Sequence, residues 1–313
     1  MDWLTIEQWE NIPLYIQHLK ILPIFPLSIQ MISRPMKKAL LFLGSLLLAS
    51  SLFAQKTPES KSGWMLGAQS YSFRLFPFAE ALRKIDSCGL KYVEAFPSQQ
   101  IGGGVTGTMN FTMDASTRQA VKKMLKDRGI TLVAYGVVRA KDEAEWKALF
   151  EFAKEMGIRN INSEPDVKQM PYIGKLAQQY KINVALHNHP KPSHYWHPDS
   201  VLAVIGNNPY LGSCSDIGHW VRSGLNPVAC LKQLQGRVLG MHFKDLEEKA
   251  PKTHDVVWGT GVCDIPAVIA EMKRQKFKGP ISAEYEYHWE NNAPEIAESV
   301  KNFRTIYTKG SIK

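Results

Sequence analysis

The chain has 313 residues and a formal net charge of +9 at pH 7, which fits one large domain. The basic residues are spread along the sequence and not clustered with aromatic residues, so the composition argues against a nucleic-acid-binding protein. The four cysteines have no CxxC spacing, and a domain of this size folds without cross-links. We therefore expect buried free thiols, with a disulfide as the alternative in an exported protein, at Cys88, Cys214, Cys230 and Cys263.

The N-terminal part of the chain has the pattern of a secretory signal. Arg34, Lys37 and Lys38 form a basic region, the apolar run 39–53 follows, and Ala54 is a small residue suited to cleavage. The apolar run is short for a membrane span, so cleavage is favoured over an uncleaved membrane anchor. The pattern predicts an exported, periplasmic protein that has no membrane association once the signal is removed.

The segment 1–35 precedes this signal and shows no sustained helical period. We expect translation to start naturally at Met36 or Met31. The predicted organisation is an extension and signal peptide over 1–54 and one domain over 55–313, whose length is close to the roughly 250 residues of a typical barrel.

In the predicted domain, short apolar runs alternate with longer amphipathic segments. The apolar runs are rich in β-branched, aromatic and aliphatic residues, as buried parallel strands are. Eight strands are predicted, at Met65–Gln69, Lys91–Ala95, Thr131–Val137, Arg159–Ser163, Asn183–Leu186, Leu211–Ser215, Val238–Phe243 and Ile281–Tyr285.

The segments between these strands have helical signatures. Asn226 and Pro227 are suited to the N-cap and first turn of a helix. Apolar residues recur at i, i+3, i+4 and i+7 in a segment that ends at Gly157 and again behind Asp264. These two stripes are Leu149, Phe152, Ala153, Met156 and Ile265, Val268, Ile269, Met272.

Eightfold strand–helix alternation predicts an α/β fold, a closed (β/α)8 TIM barrel. The alternative is an open doubly wound sheet, but no GxGxxG motif follows the first strand. Gly102–Gly104 lie in a long loop after the second strand that we expect to act as a lid.

Acidic and histidine residues lie at or just past the C-terminal ends of the predicted strands, which converge on one mouth of a barrel. Carboxylates crowded together repel one another unless a cation or a proton compensates. Carboxylates with imidazoles suit Mn²⁺, Mg²⁺, Co²⁺ or Zn²⁺, so we predict one divalent catalytic metal. The residues are Glu94, Glu164, His187, His189, Asp216, His219, His242, Lys244, Asp245, Glu284 and Glu286.

Three of these strand ends resemble motifs of the xylose-isomerase-like TIM barrels. The run Cys214–Trp220 resembles the DxGH element, Met241–Asp245 the HxKD element, and Ser282–Glu286 the last-strand glutamate. The resemblance extends over the whole predicted domain. The resemblance implies that the metal is bound by Asp216, His242 and Glu284.

The fifth strand departs from one branch of this family. Tagatose-epimerase-like members place a glutamate there, whereas this chain has His187 and His189, and a glutamate, Glu164, follows the fourth strand. This arrangement resembles the inosose-dehydratase-like branch. It leaves open whether Glu164, His187 or both complete the metal shell.

The family includes sugar isomerases and epimerases, inosose dehydratases and endonuclease-IV-like nucleases. A divalent metal would stabilise the enolate formed when a base removes the proton next to a ketone. We expect Glu164, His187 and His189 to be the candidate bases and Lys244 to be catalytic. The predicted substrate-binding residues are Glu94, His219, Lys244 and His254.

The predicted function is isomerisation or epimerisation of a keto-sugar through an enediolate. The first alternative is a lyase that performs β-elimination on a keto-sugar or 3-keto-glycoside supplied by a partner dehydrogenase, and the second is a periplasmic sugar-binding barrel. A nuclease ranks last, because its three-zinc ligand set is incomplete despite His254. No nucleic-acid partner is expected, and homo-oligomerisation is left open.

Overall fold

The computed structural model describes residues 57–310. The predicted signal peptide and its cleavage site lie outside the described residues. The helices are α1 (Pro58–Lys61), α2 (Phe78–Ser87), α3 (Ala115–Asp127), α4 (Glu143–Met156), α5 (Met170–Tyr180), α6 (Pro198–Ile205), α7 (Ile217–Arg222), α8 (Pro227–Gln233), α9 (Ile265–Arg274) and α10 (Ala293–Lys309), with 3₁₀ turns at Ser70–Phe73 and Val167–Gln169.

The strands are β1 (Trp64–Gln69), β2 (Tyr92–Ala95), β3 (Gln100–Gly102), β4 (Val105–Thr108), β5 (Thr131–Val138), β6 (Asn160–Ser163), β7 (Asn183–His187), β8 (Leu211–Asp216), β9 (Val238–Phe243) and β10 (Gly279–Ala283). Eight of them close into a barrel in the order β1-β10-β9-β8-β7-β6-β5-β2, with every pairing parallel. The predicted (β/α)8 TIM barrel is confirmed.

Two details differ from the sequence prediction. The last barrel strand is Gly279–Ala283 and not Ile281–Tyr285, so Glu284 and Glu286 lie in the segment that follows it. The predicted loop around Gly102–Gly104 is an antiparallel hairpin of β3 and β4. The glycine run that suggested a loop is the turn of this hairpin.

The helix boundaries follow local capping chemistry. The Asn226 side chain accepts a hydrogen bond from the Ala229 amide, and the Asp264 side chain accepts one from the Ala267 amide. α4 ends at Gly157, which has φ 73° and terminates the helix in the left-handed conformation. The predicted caps at Asn226 and Gly157 are confirmed, and both predicted apolar stripes are buried.

Aromatic side chains pack β1 and β9 against α10. The rings of Trp64 and Phe303 lie 6.0 Å apart, and Phe243 lies 5.3 Å from Trp258 and 5.6 Å from Phe303. Each of these side chains is almost fully buried. This packing holds β1 and β9 rigidly, which in turn fixes the residues at their C-terminal ends.

All four cysteines are buried free thiols, as predicted. Between residues 57 and 310, no helix has both the length and the apolar character that crossing a membrane requires.

Candidate metal centre and its surroundings

Four side chains from consecutive barrel strands meet at the C-terminal mouth of the barrel. One ligand atom from each of His187, Asp216, His242 and Glu284 lies within 4.8 Å of every other. All four residues are buried. We call these four residues the quartet. Two imidazole nitrogens and two carboxylates are a donor set that binds zinc and other divalent transition metals.

Two nitrogens of the quartet have no hydrogen-bond partner among the described residues. They are Nε2 of His187 and Nδ1 of His242. The nearest Asp216 oxygen lies 3.7 Å from the first and 3.9 Å from the second, and Oε2 of Glu284 lies 2.9 Å from Nδ1 of His242 without the geometry of a hydrogen bond. Since an unpaired buried polar atom is costly, these two nitrogens fit a centre that receives a cation.

Glu94 lies beneath His242. Both of its carboxylate oxygens lie 3.0 Å from Nε2 of His242, and it also accepts hydrogen bonds from Gln69, Asn162 and Ser282. A carboxylate can only accept here, so Nε2 carries a proton, and Nδ1 is the ring nitrogen that faces the quartet. The structure thus places Glu94, a predicted substrate-binding residue, behind a candidate ligand.

Glu164 has the same relation to His187. Its Oε1 lies 3.1 Å from Nδ1 of His187, so that ring donates outward and presents the lone pair of Nε2 to the quartet. The structure therefore places His187 in the quartet and the Glu164 carboxylate against the opposite nitrogen of its ring. A second cluster of potential ligands, Glu164 with His187 and His189, shares this carboxylate.

His189 is the exposed member of that second cluster. Its Nδ1 and its backbone amide both hydrogen-bond to Oε1 of Glu164. The side chain is 49% exposed, unlike His187 beside it. With Nδ1 donating to the carboxylate, Nε2 retains a lone pair and faces away from Glu164, as a general base requires. The burial of Glu164 opposes ionisation, but hydrogen bonds from His187 and His189 lower its pKa strongly and keep it charged.

Lys244 is the cation at the bottom of the site. Its Nζ donates to Asp216 at 2.9 Å and to Glu284, and it forms an ion pair with Glu286 at 2.9 Å. Burial alone would lower the pKa of Lys244, but the three carboxylates raise it well above its ordinary value. A Cβ on Gly218 would lie 2.8 Å from Cβ of Lys244, so only glycine lets α7 pack against this side chain.

The carboxylates of the quartet remain ionised for the same reason. Burial raises the pKa of Asp216, but the electrostatic interactions with His219 and with the charged Lys244 hold it well below its ordinary range. Burial likewise opposes ionisation of Glu284, while Lys244 and His242 lower its pKa. The quartet therefore presents two anionic oxygens to a cation.

His219 has the opposite hydrogen-bond arrangement from the quartet histidines. A guanidinium nitrogen of Arg222 lies 3.2 Å from Nδ1 of His219. A guanidinium group can only donate, so Nδ1 accepts, and the proton of the neutral ring is on Nε2. Burial, together with the charge of Lys244, lowers the pKa of His219 well below its ordinary value. His219 is thus a neutral donor whose N–H lies toward Asp216, 3.6 Å away.

Arg222 and Asp255 are parts of the site that the sequence interpretation missed. Arg222 donates to Asp255 at 2.8 Å, and Asp255 accepts from the Glu286 amide. Burial raises the pKa of Asp255 to about 7, against the opposing charges of Lys244 and Arg222. The i, i+3 spacing of His219 and Arg222 on α7 was the available signal, because such residues share a helix face.

Two other predicted residues lie elsewhere. The contacts of His254 are with Glu247, at 3.3 Å, and with the ring of Tyr287, at 4.4 Å between centroids. Asp245 accepts hydrogen bonds from the backbone amides of Gly259, Gly261 and Cys263 and so holds the loop before α9. Asp245 therefore has a structural role in the β9–α9 connection.

The chain matches known proteins in family and fold. The sequence profile of the family described as "Xylose isomerase-like TIM barrel" matches residues 82–306. A crystal structure of a putative uncharacterized protein from Parabacteroides distasonis ATCC 8503 is 34% identical, with a TM-score of 0.64, and the alignment covers 76% of this chain and 97% of that one. A search of curated protein sequences finds no match.

More distant solved structures share the fold. A D-tagatose 3-epimerase-like protein is 16% identical with a TM-score of 0.62, covering 79% of this chain and 99% of its own. The IolI protein, whose crystal structure contains a bound zinc atom, is 18% identical with a TM-score of 0.60, covering 78% and 98%. The profile match spans most of the described residues, and the chain therefore belongs to the xylose isomerase-like TIM barrel family.

Proposed function

We propose that this protein is a divalent-metal-dependent sugar isomerase or epimerase that removes the proton next to the carbonyl of a keto-sugar. The observation that supports this most strongly is the quartet, in which two buried imidazole nitrogens have no partner. Family membership supports sugar chemistry, and the zinc reported in the structure of IolI supports a metal at the mouth of such a barrel.

The residues that would hold the metal are His187, Asp216, His242 and Glu284. A bound divalent cation supplies Lewis-acid stabilisation of the negative charge that develops on the substrate oxygen during proton removal. His219 adds a hydrogen-bond donor beside the same oxygen, and Lys244, whose Nζ already contacts three carboxylates, adds positive charge. Arg222 and the buried carboxylates hold these two side chains in place, so little reorganisation is needed during reaction.

His189 is the base in this proposal. Its exposed ring can reach a bound sugar, and Glu164 stabilises the imidazolium that forms when the ring takes a proton. Return of the proton to the opposite face of the same carbon yields an epimer. Delivery to the neighbouring carbon yields an isomer.

Solvent-hydrogen exchange tests the proposal. The metal-loaded protein is incubated with a panel of keto-sugars in heavy water, and deuterium at carbon is followed by NMR. We expect deuterium in a rearranged sugar, and no exchange in the Asp216→Ala or His242→Ala variants. Sugar binding without exchange of any carbon-bound hydrogen across the panel would instead favour a binding protein.

A lyase is the second candidate, and one observation favours it. The base candidates His189 and Glu164 come from the neighbouring strands β6 and β7 and so occupy one wall of the mouth. Epimerisation removes a proton from one face of the substrate carbon and returns it to the other, so it needs acid–base groups on two walls of the mouth. Elimination of a β-substituent needs a base on one wall only. A rise in enone absorbance with loss of the substituent, in the same heavy-water samples, would select the lyase.

A further inference from the structure

We propose that the substrate is a neutral keto-glycoside whose second sugar unit binds in a groove beside the metal centre. The inference rests on the proposed function, because it extends the site at which the keto-sugar reacts. The groove lies between the segments that follow β5, β6 and β7. We call it the side groove.

The side groove is large for a single sugar ring. Its volume is about 1100 Å³. Pockets of roughly 300–1,000 Å³ already enclose drug-sized ligands, so a monosaccharide would fill only a fraction of it. The residues that matter to the argument are Arg139, Lys141, Glu145, Val167, Lys168 and Ser193, all of which line it.

Glu164 forms the boundary between the side groove and the quartet. Its Oε1 lies toward His187 and His189, while its Oε2 accepts hydrogen bonds from Arg139 and Ser193, each at 3.1 Å. His189 and Glu164 both line the side groove, so a substrate whose reacting carbon lies beside His189 can extend a further substituent past Glu164 into it.

The charges that line the side groove balance one another in number. Arg139 lies 3.1 Å from Glu164, and Lys141 lies 3.0 Å from Glu145. Asp166 accepts a hydrogen bond from the backbone amide of Lys168, so it offsets the Lys168 ammonium in the sum of charges and not as an ion pair. Three cations and three anions leave no net positive charge that would favour a phosphate group. Exposed, paired side chains of this kind, such as Arg139 at 71% exposure, suit the hydroxyl groups of a neutral sugar.

Val167 offers a way to fill the side groove without touching the quartet. Its side chain is 41% exposed at the rim, so a Val167→Trp substitution adds bulk to the groove without disturbing the core. Leu75, 54% exposed on the segment after β1, lies outside the groove. Leu75→Trp is therefore the matched control for the effect of an added surface indole.

The experiment compares kcat/KM for exchange of the carbon-bound hydrogen. The compounds are 3-ketoglucose, 3-ketocellobiose, 3-ketomaltose and 3-ketoglucose 6-phosphate. We expect one of the disaccharides to exceed 3-ketoglucose by about tenfold or more in the wild type, since new contacts of ordinary strength are worth that factor. The ratio should fall to about one in Val167→Trp and persist in Leu75→Trp, and the phosphate should give no advantage.

Equal kcat/KM for all neutral compounds, or a preference for the phosphate, would overturn the inference. A disaccharide preference that survives Val167→Trp would also overturn it. If no compound exchanges its hydrogen, the proposed function fails. Calorimetry then measures separately whether a disaccharide binds in the side groove. Tighter binding of cellobiose or maltose than of glucose, lost in Val167→Trp, then supports the side groove, and equal binding contradicts it.

Discussion

Glu94 holds His242 from below with both carboxylate oxygens, each 3.0 Å from Nε2. Glu164 holds His187 in the same way through Nδ1, at 3.1 Å. In each pair a buried carboxylate fixes which ring nitrogen carries the proton, and the other nitrogen is left unpaired at the quartet. The two histidines are thus oriented toward a common point by residues that do not themselves reach it.

The first prediction concerns Glu94. In Glu94→Gln the charge that stabilises the orientation and basicity of His242 is lost, so we expect affinity for Zn²⁺ or Mn²⁺ to fall by about 10- to 100-fold. Metal titration with a competing chelator measures this. Glu271→Gln on the outer helix α9 is the control, since its partners are Arg274 and Gln275. Unchanged affinity in a folded Glu94→Gln protein would contradict the orienting role.

The second prediction concerns Gly218. Gly218→Ala places a Cβ 2.8 Å from Cβ and 3.0 Å from Cδ of Lys244, so the lysine must move away from its carboxylates. We expect a loss of about 1–3 kcal/mol in the free energy of unfolding, with a loss of hydrogen exchange in substrate. Denaturant titration measures the first effect. Gly310→Ala, whose Cβ would meet nothing closer than 3.5 Å, should leave both unchanged, and equal effects of the two variants would refute the packing argument.

The third prediction concerns pH and Asp255. Its folded pKa of about 7 lies above its ordinary value of 3.8, because it is buried. From about pH 4 to 7 the unfolded chain has lost this proton while the folded protein keeps it, so the contribution of Asp255 to the free energy of unfolding falls as the pH rises. The slope is at most ~1.4 kcal/mol per pH unit.

Asp255→Asn removes this titration while keeping an oxygen that can accept from the Glu286 amide. Stability curves of the metal-free wild type and variant, measured between pH 4 and 8, should therefore converge or cross as the pH rises, because only the wild type loses stability through this group. Parallel curves across the whole window would show that Asp255 is ionised when folded.

The fourth prediction separates chemistry from metal binding. His189 lies outside the quartet, so His189→Gln should retain its metal while kcat for proton removal falls by about 10²- to 10⁴-fold. His288→Gln is the control, because His288 is 54% exposed and pairs with Glu295. Activity of His189→Gln within a few-fold of wild type would assign the base to another residue.

The barrel could be predicted from the sequence because the alternation of apolar runs and helical segments repeats eight times. Eight apolar runs separated by capped helices leave few alternative folds, and the ends of parallel strands must share one mouth. Asp216 and Glu284 could be predicted as neighbours on that ground alone. The β3–β4 hairpin was missed because three consecutive glycines look the same in a mobile loop and in a tight turn.

Whether Glu164 or His187 joins Asp216, His242 and Glu284, and where Glu94 lies, could not be predicted from the sequence. Glu164 and His187 follow adjacent strands, and their order in depth depends on side-chain direction and on which oxygen accepts which proton. Glu94 is equally close to a strand end, yet its hydrogen bonds to Gln69, Asn162 and Ser282 place it beneath the site. Arg222 and Asp255 contribute through contacts that join α7 to a distant loop.

Metal content is the most direct test of the quartet. Elemental analysis of purified protein, after dialysis against metal-free buffer, should find close to one divalent ion per chain. The ratio should fall sharply in Asp216→Ala, His242→Ala and Glu284→Ala and remain near one in His189→Gln. Three ions per chain, or full retention of metal in the quartet variants, would contradict the account.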